Sequence, residues 1–212
     1  MNTNDLINLL ASAGASRGLR PYAAVVLAAA GGLAAAAVLF GLFIDLRPDI
    51  ETAAGSAPFL LKLVLAAILA FTASGMLVRL ARPDGSAAHW RMGVLGSAAL
   101  LAAAVAIELL SVPHASWPER LVGFEPIACL ASIVALSVAP LLLFQFLMRW
   151  GAPRDPGLAG AVCGLAAVAI ATAVYAAHCP NDSPLFVLVW YTAAVLIVCL
   201  AGRHLGRRLL RW

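Results

Sequence analysis

The most reactive side chains in this 212-residue chain are four cysteines, at positions 129, 163, 179 and 199. They form no CxxC or other close metal-ligand spacing, and four thiols over this length are too few for a disulfide-rich scaffold. Cys179 lies in the sharply polar segment His178-Cys179-Pro180-Asn181-Asp182-Ser183-Pro184, between two long apolar stretches, and Cys129 follows Pro126 by three residues at the start of another. His178 adjoins Cys179, and His114, Glu108 and Glu125 are expected in the same layer. Three readings of the pair stay open: a disulfide in an oxidising compartment, a soft metal ion such as zinc, cadmium or copper held by thiolate and imidazole, or unrelated packing at two helix ends. Cys163 and Cys199 sit among apolar residues and read as small packing side chains. Without a Ser/His/Asp set, an HExxH or paired intramembrane carboxylates, no enzyme is expected.

The elements that position these thiols follow from composition. Hydrophobic residues make up 63% of the chain and charged residues 11%, and mean hydropathy is +0.97. That leaves too little polar surface to cover a soluble globule, so the expected fold is an all-α polytopic membrane protein. Runs of about 20 apolar residues, enough to cross roughly 30 Å of hydrocarbon, predict six spans at 22–44, 59–81, 93–112, 126–148, 158–177 and 185–202. A tail over 1–21 precedes them and a basic segment over 203–212 follows. The first run extends well past the usual signal-peptide core of about 7–15 residues and reads as an uncleaved span.

Orientation comes from the basic residues. With both termini cytoplasmic, the inner side takes Arg17, Arg20, Arg79, Arg82, Arg91, Arg149, Arg154, Arg203, Arg207, Arg208 and Arg211, and only Arg47, Lys62 and Arg120 lie elsewhere. That is the bias of the positive-inside rule. It puts Cys179 in an outer loop and Cys129 about 5 Å below the outer end of the fourth span at helical rise. The net charge of +4 then reflects topology, and no contact with nucleic acid is expected.

Lys62 and Glu108 fall at similar outer depth on neighbouring spans. They read either as a structural ion pair or as two side chains reaching separately for the outer boundary. Gly160 and Gly164 form a GxxxG on the fifth span, Gly31-Gly32 interrupts the first, and Pro140 is expected to bend the fourth. In the tail, Leu6, Leu9, Leu10 and Ala13 follow helical spacing with Asp5 in the first turn, so a short amphipathic helix is expected there, capped by Asn2 or Thr3. Too short to be stable alone, it requires the lipid surface, the chain's own inner loops or another protein as a partner.

Cys179-Pro180-Asn181-Asp182-Ser183-Pro184-Leu185-Phe186, then Trp190-Tyr191, then Gly206-Arg207-Arg208-Leu209-Leu210-Arg211-Trp212 resembles the C-terminal part of the NrsF family, six-span bacterial inner-membrane anti-sigma factors. Thr3-Asn4-Asp5-Leu6-Ile7, Arg17 and Arg20-Pro21, and Pro126-Ile127-Ala128-Cys129 agree with it, so the resemblance covers the whole chain. It implies a partner, an extracytoplasmic-function (ECF) sigma factor held at the membrane. It also implies sensing of heavy metal or oxidant through Cys129 and Cys179, with no obligatory cofactor beyond a transient soft metal ion there. The holding surface implied is Asp5, Leu6, Leu9 and Leu10, with Arg17 and Arg20 as ion-pair candidates. A small transporter or channel for a metal ion or solute is the alternative, disfavoured by the lack of charge in the middle of the spans.

Overall fold

A computed structural model of the chain describes residues 2, 3, 5, 20–83 and 85–210. It is all-α, with no strand among the described residues, and holds six helices long and apolar enough to cross a membrane. We number them α1 (Pro21–Phe43), α2 (Ala57–Leu80), α3 (Ala88–Ser111), α4 (Pro126–Met148), α5 (Pro156–Tyr175) and α6 (Pro184–Leu209). The expected tail helix and its surface residues Leu6, Leu9, Leu10 and Arg17 lie outside the described residues.

Proline marks most of the starts. Pro21, Pro58, Pro126, Pro156 and Pro184 each stand in the first two positions of a long helix, where the missing N–H has no intrahelical partner to lose and the ring presets φ. Ser56 caps α2 by accepting from the Phe59 N–H at 3.4 Å. Asp155 caps α5, its Oδ1 accepting from the N–H groups of Gly157 and Leu158 at 2.8 and 3.0 Å.

Helix α5 is the axis of the bundle: 72% of its apolar window is buried, against 17% for α3 at the edge. It packs on α1, α2, α4 and α6, most extensively on α6. The α5–α6 contact is made by backbone. A Cβ on Gly160, Gly164, Gly202 or Gly206 would run into the main chain of the facing helix, so the GxxxG of α5 meets a second one on α6, and small residues let the two axes approach. Gln145 of α4, 1% exposed, locks this seam by donating from Nε2 to the Gly202 carbonyl at 2.8 Å. Pro140 of α4 sits against Gly32 of α1, where an added Cβ would lie 3.0 Å from the proline ring.

Two boundaries differ from expectation. Helix α3 begins at Ala88 rather than 93, because Trp90 lies flat against Gly75 of α2 and draws the preceding turn into the helix. Helix α6 continues to Leu209 rather than ending at 202. There Gly206 still packs against the Pro156 carbonyl and Gly160, so the basic residues Arg203, Arg207 and Arg208 lie on a packed continuation of the helix.

Candidate functional site

The three connections α1–α2, α3–α4 and α5–α6 meet on the face opposite the termini, and the segment 178–184 is the piece that joins them. Asn181 reaches the α3–α4 connection: its Nδ2 donates to the Phe124 carbonyl at 2.8 Å and its Oδ1 accepts from the Phe124 N–H at 3.0 Å. Asp182 reaches the other side, accepting from Lys62 of α2 at 2.6 Å and from Arg47 of the α1–α2 connection at 3.0 Å. Ser183 donates to the Glu108 carboxylate of α3 at 2.8 Å. That carboxylate also accepts from the Leu185 N–H at 2.9 Å, so it serves as a borrowed cap for α6.

Lys62 is 4% exposed, and a buried ammonium is costly unless all three donors are used. They are: besides Asp182, Nζ donates to the Cys179 carbonyl at 3.2 Å and the Asn181 carbonyl at 3.1 Å. Arg47, 7% exposed, donates to the same Cys179 carbonyl at 3.2 Å and makes a two-pronged pair with Asp49 at 2.7 and 2.8 Å. The guanidinium holds the Asp49 carboxyl below the usual carboxylate range. The Phe59 ring lies under both cations, 5.9 Å from Arg47 and 5.8 Å from Lys62. Two cations and two carboxylates thus fix the backbone of Cys179.

The expected ion pair between Lys62 and Glu108 does not form. Lys62 belongs to Asp182, and Glu108 pairs with Arg120 at 2.9 Å. Depth along the membrane normal matches for the expected partners, but α3 stands at the edge of the bundle and turns Glu108 toward the start of α6.

This frame encloses the two cysteines. Cys129 is 2% and Cys179 1% exposed, both are free thiols, and their side chains lie within hydrogen-bonding reach of each other. The neighbouring Cys129 thiol, aided by the Lys62 charge, outweighs burial and holds the Cys179 thiol down at about 6, from an ordinary value near 9.0. Two tyrosines complete the enclosure. Tyr175 of α5 lies beside Cys129 and Ser132. The buried Tyr191 hydroxyl has no oxygen or nitrogen partner among the described residues and lies beside the Cys179 thiol. Tyr191 ends a π-helical turn, Val187–Tyr191, whose wider winding shifts the phase of α6. Its neighbour Trp190 uses that phase to donate to the Leu121 carbonyl at 3.0 Å.

The four expected second ligands are not gathered around the thiols. The His178 Nδ1–H donates to the Asp45 carbonyl at 2.6 Å, and exposed His114 stands edge-on to Trp117 with ring centroids 4.2 Å apart. Glu108 is engaged as above. Glu125 is exposed, with its backbone in the left-handed region at φ 47° just before α4. Among the described residues no group of three or more His, Cys, Asp or Glu converges, so the thiolate–imidazole set expected for zinc, cadmium or copper is absent from this arrangement. Of the implied partner surface, Asp5 is exposed and accepts from the Asn2 N–H at 3.2 Å, and Arg20 is exposed at the start of α1. Cys163 is wholly buried in α5, and Cys199 is half-buried in α6.

Sequence reasoning missed Arg47, Asp182, Tyr175 and Tyr191. Asp182 carried a usable signal: a lysine at the edge of a span needs a carboxylate, and Asp182 is three residues from Cys179. Tyr175 precedes Cys179 by four residues, one helical turn away, a spacing that would have suggested it.

Fold and site together define a class: a six-helix membrane protein whose loop-bearing face seals two cysteines beneath a charged clamp. A profile described as "negative regulator of sigma F" matches residues 9–212, and the chain belongs to this family, NrsF. The anti-sigma-F factor NrsF of Caulobacter vibrioides is 32% identical over 216 residues, covering 100% of both chains. A probable anti-sigma-F factor NrsF of Azospira oryzae is 34% identical over 215 residues with the same full coverage. No solved structure matches the chain.

Proposed function

We propose that this protein holds an ECF sigma factor at the bacterial inner membrane and releases it when the Cys129–Cys179 pair is oxidised. The observation carrying the reading is a pair of adjacent buried thiols, one of them acidified and set in a segment tied to α2, α3 and the α1–α2 and α3–α4 connections. The basic face bearing the termini is then cytoplasmic, as the arginine bias requires. Asp5, Leu6, Leu9, Leu10, Arg17 and Arg20 supply the sigma-factor contact, together with the basic residues of α6.

The chemistry balances with a peroxide as oxidant. The Cys179 thiolate attacks one peroxide oxygen and becomes a sulfenic acid; the displaced hydroxide takes a proton and leaves as water. Cys129 then attacks the sulfenic sulfur, its proton leaves with the hydroxyl as a second water, and a disulfide remains. Two thiols have lost two electrons to the peroxide. The new bond draws the start of α4 toward segment 178–184, from which α6 begins. Because α5 and α6 are fastened by glycines along their length, α6 carries the shift to the other face. A useful switch needs the oxidised and reduced pairs to favour different packings by a few kcal/mol.

A soft metal ion is the second reading. Two sulfurs with no imidazole suit an ion satisfied by few thiolates, of the Cu(I) kind. Transport is disfavoured because Lys62 and Glu108 are engaged in the charged clamp, while the hydroxyls of buried Thr72, Ser97, Ser137 and Thr172 and the Nε2 of Gln145 each donate to a helix carbonyl.

The test is a reporter driven by the sigma factor, in cells carrying Cys129→Ser, Cys179→Ser or both. Each single variant is expected to lose the whole response, as the double does; additive partial losses would sink a shared site. Response to peroxide with none to copper assigns the oxidation step, and the reverse assigns the metal. Affinity capture from native membranes should bring down the sigma factor; its absence would return transport to the front.

A further inference from the structure

A groove of about 880 Å³ opens between α1 and α2 in the half of the bundle nearest the termini, within the roughly 300–1,000 Å³ typical of small-molecule sites. It exists because Ala29 and Ala30 on α1 face Ser74 and Gly75 on α2, and small side chains leave the space between the helices unfilled. Ile170 of α5 forms its floor. Gly75 has a second role: the Trp90 ring occupies the place its Cβ would take, so α3 closes one end of the groove with an indole.

Its dimensions and its two ends indicate an occupant. Along α1 the groove runs from Tyr22 to Leu33, about 16 Å at helical rise, which is half of a hydrocarbon core of about 30 Å. It therefore reaches from one membrane boundary to the midplane, the depth of a single leaflet. At the boundary end it is lined by Arg79 and Arg82, both exposed. The Arg82 N–H donates to the Arg79 carbonyl at 3.1 Å, so both guanidinium groups leave the backbone within one turn. Tyr22, exposed in the first turn of α1, lines the groove at that boundary, where an amphipathic ring meets headgroups.

We propose that this groove binds an anionic phospholipid, one acyl chain lying between α1 and α2 and the phosphate held by Arg79 and Arg82. Charge selects the lipid. Guanidinium groups grip phosphate oxygens in pairs, and a headgroup without its own ammonium brings no repulsion to a site with two cations. The site is independent of the thiol chemistry on the opposite face.

The experiment uses the full chain in nanodiscs of phosphatidylethanolamine with a minor share of phosphatidylglycerol, counting lipids that survive gentle release by native mass spectrometry. The wild type is expected to keep one phosphatidylglycerol with at least a tenfold preference over its share. Arg79→Gln with Arg82→Gln should abolish the preference, and Ala30→Trp, which fills the slot from an exposed wall position and leaves the arginines, should lower retention of either lipid. Absence of preference in the wild type, or its persistence in the double arginine variant, overturns the proposal. So does a photo-crosslinker at position 30 that captures residues 6–19 of the same chain instead of lipid.

Discussion

Lys62→Met tests the clamp most directly, because its effect can be worked out beforehand. The ammonium sits 2.6 Å from Asp182 with its side chain 1% exposed and that of Asp182 19% exposed, and it also serves two carbonyls. Removing one member of a buried pair costs about 3–5 kcal/mol. Arg47 stays 3.0 Å from the same carboxylate and still compensates it, so the lower end applies, about 3 kcal/mol. That loss falls on local opening of segment 178–184, the motion that must expose Cys179 before a bulky maleimide can reach it. At about 1.4 kcal/mol per tenfold, labelling of Cys179 should accelerate about 100-fold. The acidified thiol does not change this figure, because when closing is fast the reagent meets an opened segment whose thiol titrates normally. The assay is site-resolved labelling in detergent by mass spectrometry, with buried Cys163 in the same molecule as the reference. Asp182→Asn should accelerate labelling too, and the double variant should gain much less than the product of the two. An acceleration below about fivefold, or effects of the two substitutions that multiply, would refute the clamp.

Two further outcomes follow from the same geometry. A Cys179 thiol held at about 6 is a thiolate above that pH and loses its reactive form as pH falls through it, so peroxide oxidation should rise about tenfold from pH 5 to 7 and then level off. A rate still climbing through pH 8.5, as for an ordinary thiol, would refute the acidification. Gly202→Leu should destabilise the bundle by about 3 kcal/mol in a detergent melt, because its side chain enters the Gly160–Gly164 backbone and displaces the carbonyl that Gln145 holds; Gly41→Leu, with nothing within 4 Å, serves as the neutral comparison, and equal melts would remove the seam as a determinant.

Much of the fold was legible because lipid imposes a one-dimensional rule. Apolar length gives the spans, and proline at the start of five of them fixes boundaries to within about two residues. The rule gives depth but no azimuth, and the errors follow from that. Lys62 and Glu108 match in depth, yet α3 packs at the edge, and its carboxylate is drawn to the unsatisfied N–H groups at the start of α6. The thiols, in contrast, are legible as a pair: Cys129 lies just inside α4, Cys179 just beyond α5, and those two helices are in direct contact. Tyr191 was hidden by the π turn, since ordinary helical spacing from Pro184 does not reveal which way it faces.

The arrangement also explains why the motif His178–Pro184 is so polar in so apolar a chain. Each side chain from Asn181 to Ser183 engages a different connection or helix, and no two share a partner: Asn181 takes Phe124, Asp182 takes Arg47 and Lys62, Ser183 takes Glu108. A change at Cys179 therefore cannot be absorbed by one loop. It is divided among α1, α2, α3 and α4 on one face, while α6, which starts inside the segment, runs as one helix through to Leu209 on the other. With α5 and α6 joined backbone to backbone, shortening the Cys129–Cys179 contact by a covalent bond acts on a lever already assembled. In the proposed switch the two adjacent thiols are the input and the basic end of α6 is the output.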